Sequence, residues 1–177
     1  MIRGRFALLA LPVLLAGCVK YPEPFRPPVQ RRPMEIGGDL KLSHFTAMGA
    51  ATAPDHFISG VVPDLHDGAW RWVMKKPIFQ FQLPTTKALR LKVDLSVPEV
   101  TFEQTGPVKI TVMVGPHLLD TIECSKPGQH LFEKAVPEEW LSVNRPILVS
   151  LEIDKLWTSP ADGVQRGFII TSIGFVQ

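Results

Sequence analysis

From residue 40 onward, apolar side chains return at every second position, and this period limits the chain to half-buried β-strands. Leu89, Leu91, Val93 and Leu95 alternate with Arg90, Lys92 and Asp94. Val108, Ile110, Val112 and Val114 alternate with Lys109, Thr111 and Met113, and Phe79, Phe81 and Leu83 alternate with Gln80 and Gln82. Ile147, Val149, Leu151 and Ile153 form a further inward row. The last run, Gly167 to Val176, is apolar on both faces, as expected of a strand with neighbours on both sides and cover above and below. Turn chemistry separates the runs: Asp67-Gly68, Thr105-Gly106-Pro107, Gly115-Pro116, Lys126-Pro127-Gly128 and Asp162-Gly163. Many short alternating strands between Gly/Pro turns predict an all-β fold, an antiparallel β-sandwich or barrel. Helix is expected only as one turn at Pro137-Glu138-Glu139-Trp140-Leu141, where a proline starts the turn and acids occupy it.

The N-terminus carries an address. Met1-Ile2-Arg3-Gly4-Arg5 is positive, and the apolar run Phe6 to Ala16 that follows is about half the ~20 residues that cross a bilayer. It ends Leu15-Ala16-Gly17-Cys18, which resembles the lipobox of bacterial lipoproteins. That resemblance implies lipid attachment at Cys18, cleavage before it, and stable anchoring by two or three acyl chains. Val19, in place of an aspartate after the cysteine, implies sorting to the outer membrane of a Gram-negative cell. The expected organisation is a signal peptide over residues 1–17, a lipidated cysteine with a tether over 18–36, and one domain over 37–177. Pro22, Pro24, Pro27, Pro28 and Pro33 make the tether an extended, semi-rigid spacer.

Charge excludes one class of partner. Of 19 basic side chains, Arg3 and Arg5 lie in the leader, and the remainder matches the 17 acidic ones. Nucleic-acid binding, which needs clustered cations, is not expected. The surplus of Lys20, Arg26, Arg31 and Arg32 over Glu23 lies beside the expected anchor, where anionic headgroups attract it weakly. Once Cys18 is lipidated only Cys124 remains, so no intrachain disulfide forms, and its strand-like context predicts a buried thiol.

The order of later motifs resembles a known type. Trp70-Arg71-Trp72 leads a strand, Gly106-Pro107-Val108-Lys109-Ile110-Thr111-Val112 precedes a hairpin, and Asp162-Gly163-Val164-Gln165-Arg166-Gly167-Phe168 comes before Ile173-Gly174-Phe175. The region from about residue 40 to 177 resembles galactose-binding-like jelly-roll sandwiches, in the bacterial form found beside surface-polysaccharide enzymes. Those carry an early Arg-Trp strand and a late Asp-x-Arg-x-Leu-Gly strand; here Arg166-Gly167 stands in the late position.

No nucleophile elbow, phosphate loop or paired metal-ligand spacing is present, so neither catalysis nor a cofactor is expected. His56, Asp64, His66 and Asp67 are the sole His/Asp cluster, and they read as solvated loop residues. Carbohydrate binding requires exposed aromatic platforms with polar groups beside them. Trp157, before a Thr-Ser-Pro-Ala-Asp-Gly loop flanked by Asp162 and Arg166, is the expected exposed platform. Trp70 and Trp72 share one strand face, with Arg71 opposite, and are expected in the core or at its rim. The function expected is a non-catalytic envelope module for a glycan; the alternatives are an assembly protein for an envelope partner, paired through a strand edge, and, less favoured, an enzyme on envelope polymers.

Overall fold

The computed structural model describes residues 40–177. The expected leader, Cys18 and the proline-rich tether lie outside the described residues. Eleven strands follow in order: β1 (Phe45–Ala47), β2 (Phe57–Val61), β3 (Arg71–Phe81), β4 (Arg90–Val97), β5 (Val108–Val114), β6 (His117–Cys124), β7 (Gly128–Ala135), β8 (Ile147–Ile153), β9 (Trp157–Thr158), β10 (Gln165–Arg166) and β11 (Ile169–Val176). Every pairing among them is antiparallel.

The strands form two layers. In the first, β11 lies between β1 and β4, and β7 pairs with the far side of β4. In the second the order is β2-β3-β8-β5-β6. Strand β3 joins the layers, because its first residues, Arg71 and Trp72, pair with β11 while Ile78 to Phe81 pair with β8. This is the antiparallel β-sandwich that the alternation predicts.

The period-two rows meet between the layers. Leu91, Val93 and Leu95 on β4, Ile110 and Val112 on β5, and Val149, Leu151 and Ile153 on β8 are fully buried. Phe79, Phe81, Phe168 and Phe175 are the largest of the fully buried side chains. Each such residue contributes about 1.5–3 kcal/mol by leaving water, which explains why the inward rows dictate the register. The doubly apolar last run is β11, central as its composition requires. Cys124 is buried, and burial first and Asp154 second push its thiol up to about 11.

Of three helical segments among the described residues, one meets the sequence reading and two, the 3₁₀ turn Ala53–His56 and an α-helix, do not. The turn at 137–141 is present as a 3₁₀ turn, Glu138–Trp140. An α-helix, α1 (Glu99–Thr105), was not expected. It follows Pro98 with Glu99 in its first turn, the same proline-then-acid signal. It lacks an apolar stripe, since Val100 is exposed and Thr101 is the buried residue, so periodicity does not reveal it.

Candidate functional site: an aromatic ladder

The loop from Val62 to Trp70 closes on a tight turn of three residues, Asp67, Gly68 and Ala69. Asp67 and Gly68 both have positive φ, 49° and 67°, and the Ala69 N–H donates to the His66 carbonyl at 2.9 Å. This is the hairpin turn that Asp-Gly favours, because glycine and aspartate tolerate the left-handed region. The turn makes His66 and Trp70 cross-strand partners, and the His66 N–H donates to the Trp70 carbonyl at 2.9 Å. Their rings stack with centroids 4.3 Å apart and planes 14° from parallel. The Trp70 Nε1–H donates to Asp67 Oδ2 at 3.1 Å, which fixes the indole from the turn itself. The tip is seated on Gly49, where any Cβ would stand 2.1 Å from the Gly68 carbonyl oxygen.

The stack continues inward. Trp70 meets Trp72 edge-on, with centroids 6.3 Å apart, and Trp72 stacks on Trp157 at 5.6 Å with planes 23° apart. Period two on β3 places Trp70 and Trp72 on one face, as expected, while Arg71 turns the other way. There Arg71 is buried, donates to the Pro63 carbonyl and lies over the Phe57 ring. The geometries are those that ring quadrupoles prefer, each worth about 0.5–1.5 kcal/mol beyond area burial.

Trp157 corrects the sequence expectation of an exposed platform. It is only 8% exposed. Its strand β9 pairs with β10, with Trp157 opposite Arg166, and this ribbon folds against β3 so that Trp72 covers the indole. The partly exposed rungs are His66, Trp70 and Trp72 instead.

The structure does bring Trp157, Asp162 and Arg166 together. Arg166 donates through Nη1 to Asp162 Oδ1 at 3.0 Å and through Nη2 to Oδ2 at 2.6 Å. This two-bond fork is the strongest common geometry for such a pair. Asp162 also accepts from the Val164 N–H at 3.1 Å. The Arg166 fork, then the Val164 and Ser159 hydrogen bonds, hold the Asp162 carboxyl far below the usual carboxylate range. Arg166 lies over the Trp72 ring, 5.9 Å from its centroid. The pair therefore latches the 159–166 loop against the ladder, and each charge is engaged by the other. Two buried donors here, Trp157 Nε1 and Arg166 Nε, have no hydrogen-bond partner among the described residues.

Gly167, directly after Arg166, is a glycine for a packing reason. A Cβ there would lie 2.9 Å from the Met74 carbonyl oxygen, and the Gly167 N–H donates to Val73 at 2.7 Å. β10 can thus cross β3 closely enough to bring Arg166 over Trp72.

The His/Asp cluster of the sequence is dispersed. His56 is fully buried, tilted on Phe81 at 5.1 Å, with Nδ1 2.8 Å from the Gln80 carbonyl. Desolvation lowers its pKa against the raising effects of Gln80 and Asp55. His66 belongs to the ladder, and among the described residues no three His, Cys, Asp or Glu side chains converge.

Fold and site together define an antiparallel β-sandwich carrying a ladder of aromatic rings, the outer ones partly exposed. No family model matches the sequence, and no curated protein matches it. Among solved structures it is similar to a family 35 carbohydrate binding module from an environmental isolate, at 16% identity and a TM-score of 0.48, covering 75% of this chain and 92% of that one. A family GH115 4-O-methyl-α-glucuronidase with specificity for decorated arabinogalactans matches at 13% identity and a TM-score of 0.45; the match covers 83% of this chain and 19% of the enzyme.

Proposed function

We propose that this chain is a non-catalytic module of the bacterial cell envelope that binds a glycan on the outer rungs of the ladder. The observation that carries the reading is the His66–Trp70 stack, held on a tight hairpin with its indole N–H satisfied by Asp67. Sugar C–H faces pack on aromatic rings, and a rigid platform binds with little ordering cost. Asp64 and Asp67 are exposed beside the rings and supply acceptors for sugar hydroxyls. Trp72, Trp157, Asp162 and Arg166 act from behind by fixing the platform. The lipobox at Cys18 and Val19 after it support a lipid-anchored module, sorted to the outer membrane, that presents this surface to an envelope polysaccharide.

The test is a glycan microarray probed with the full chain and with Trp70→Ala. Saturable binding to one glycan class, lost in the variant, is the expected result. Equal binding by both chains would remove the ladder from the account. Retention of a specific envelope protein with no glycan signal would favour an assembly role.

A further inference from the structure

A β-sandwich with open layers has edge strands, and soluble proteins guard them by shortness, bulges or charge. Among the described residues four strands form edges of the two layers, and three are guarded. β1 has 3 residues. β2 loses register twice against β3, between Phe57 and Ser59 and between Ser59 and Val61. β6 is shifted against β5 between Val112 and Met113. β7 is different: its 8 residues pair with β4 in unbroken register from Gly128 to Ala135. No proline interrupts it, and Lys134 is held by Asp120 at 2.5 Å rather than projecting as a guard. Leu131, at its centre, is 69% exposed, the highest value among the exposed large hydrophobic side chains.

We infer that β7 is a homodimer edge, on which a second copy of this chain adds its own β7 antiparallel across a two-fold axis. The sequence of the strand is self-complementary in one register. With Leu131 opposite Leu131 of the other copy, His130 falls opposite Phe132 and Gln129 opposite Glu133. Directly opposed residues share a face. The exposed leucines then cover each other on the outer face, and two His–Phe pairs form on the inner one. The Gln129 amide, which gives one hydrogen to Asp94 at 2.8 Å, keeps a second for Glu133, whose partner at 2.6 Å is Arg90. Residues two apart on β7 share a face, so slipping the two copies to bring Leu131 opposite Glu133 would bury a carboxylate against leucine. The symmetric register avoids that mismatch, and it satisfies the open backbone groups of both edges.

The test uses the full chain carrying Cys18→Ser, so that only buried Cys124 remains. Light scattering should give twice the chain mass, falling to the single-chain mass in Leu131→Lys, because like charges would then sit directly opposite. Leu131 is exposed in the single chain, so this variant should keep its circular dichroism, and its unfolding midpoint should lose the dependence on chain concentration that the dimeric parent shows. Under mild oxidation Leu131→Cys should cross-link to itself. Gln129→Cys should not do so alone, and should cross-link when mixed with Glu133→Cys. A single-chain mass throughout the concentration range would overturn the proposal, as would self-cross-linking of Gln129→Cys without that of Leu131→Cys.

Discussion

Replacing Trp157 separates the two halves of the ladder, and its cost can be worked from the structure. The indole is 8% exposed and stacks on Trp72 at 5.6 Å. Truncation of a buried Trp to Ala costs about 3–5 kcal/mol. One term works the other way: Trp157 Nε1 is buried without a partner among the described residues, and removing an unsatisfied donor returns about 1–3 kcal/mol. Trp157→Ala should therefore lose about 2 kcal/mol net. Trp157→Phe keeps a ring against Trp72 and removes the unpaired N–H, so it should stay within about 1 kcal/mol of the parent. Urea unfolding followed by circular dichroism reads both, through the midpoint at constant slope. Equal midpoints for the parent and Trp157→Ala would refute the buried placement. A Phe variant as damaged as the Ala variant would refute the unsatisfied N–H.

Other outcomes follow from single contacts. Gly49→Ala puts a Cβ where the Gly68 oxygen stands, 2.1 Å away, so the hairpin tip must move; microarray binding should fall although residue 49 lies outside the ladder. His56 is held neutral by burial, so its folded pKa is below its unfolded value of about 6.5. Its contribution is then complete above pH ~6.5 and is lost as pH falls through the folded value. The urea midpoint of the parent should drop between pH 7.5 and 5.5, and His56→Gln should show a smaller drop. Ala88 has φ of 54°, a conformation that costs a non-glycine residue about 1–2 kcal/mol. Ala88→Gly should raise the unfolding midpoint by the equivalent of about 0.5–1 kcal/mol, after the entropy that glycine loses on folding.

The layers were legible because strand burial is written locally. Val108, Ile110, Val112 and Val114 show their inward face in seven residues, and the turn at Asp67-Gly68 announces its own hairpin. The site was only half legible. The pairing of Trp70 with Trp72 follows from period two, and the Asp-Gly turn between His66 and Trp70 carries the signal for their stack, although the neighbouring acids give His66 the look of a solvated loop residue. The burial of Trp157 had no local signal. It arises when a ribbon of two-residue strands folds back on β3, and that fold depends on Gly167 passing close to Met74. Helix α1 escaped for a similar reason, since its one buried side chain, Thr101, is polar.

The central claim is that the outer rungs recognise glycan while the inner rungs only support them. Titrating the glycan selected on the array into the parent and Trp70→Ala by calorimetry, with urea midpoints measured on the same samples, tests it most directly. The account predicts saturable heat for the parent and none for Trp70→Ala, which should remain folded while losing about 1–3 kcal/mol, the worth of its two ring contacts. Undiminished affinity in Trp70→Ala, or a loss of binding that merely tracks a loss of stability, would contradict it.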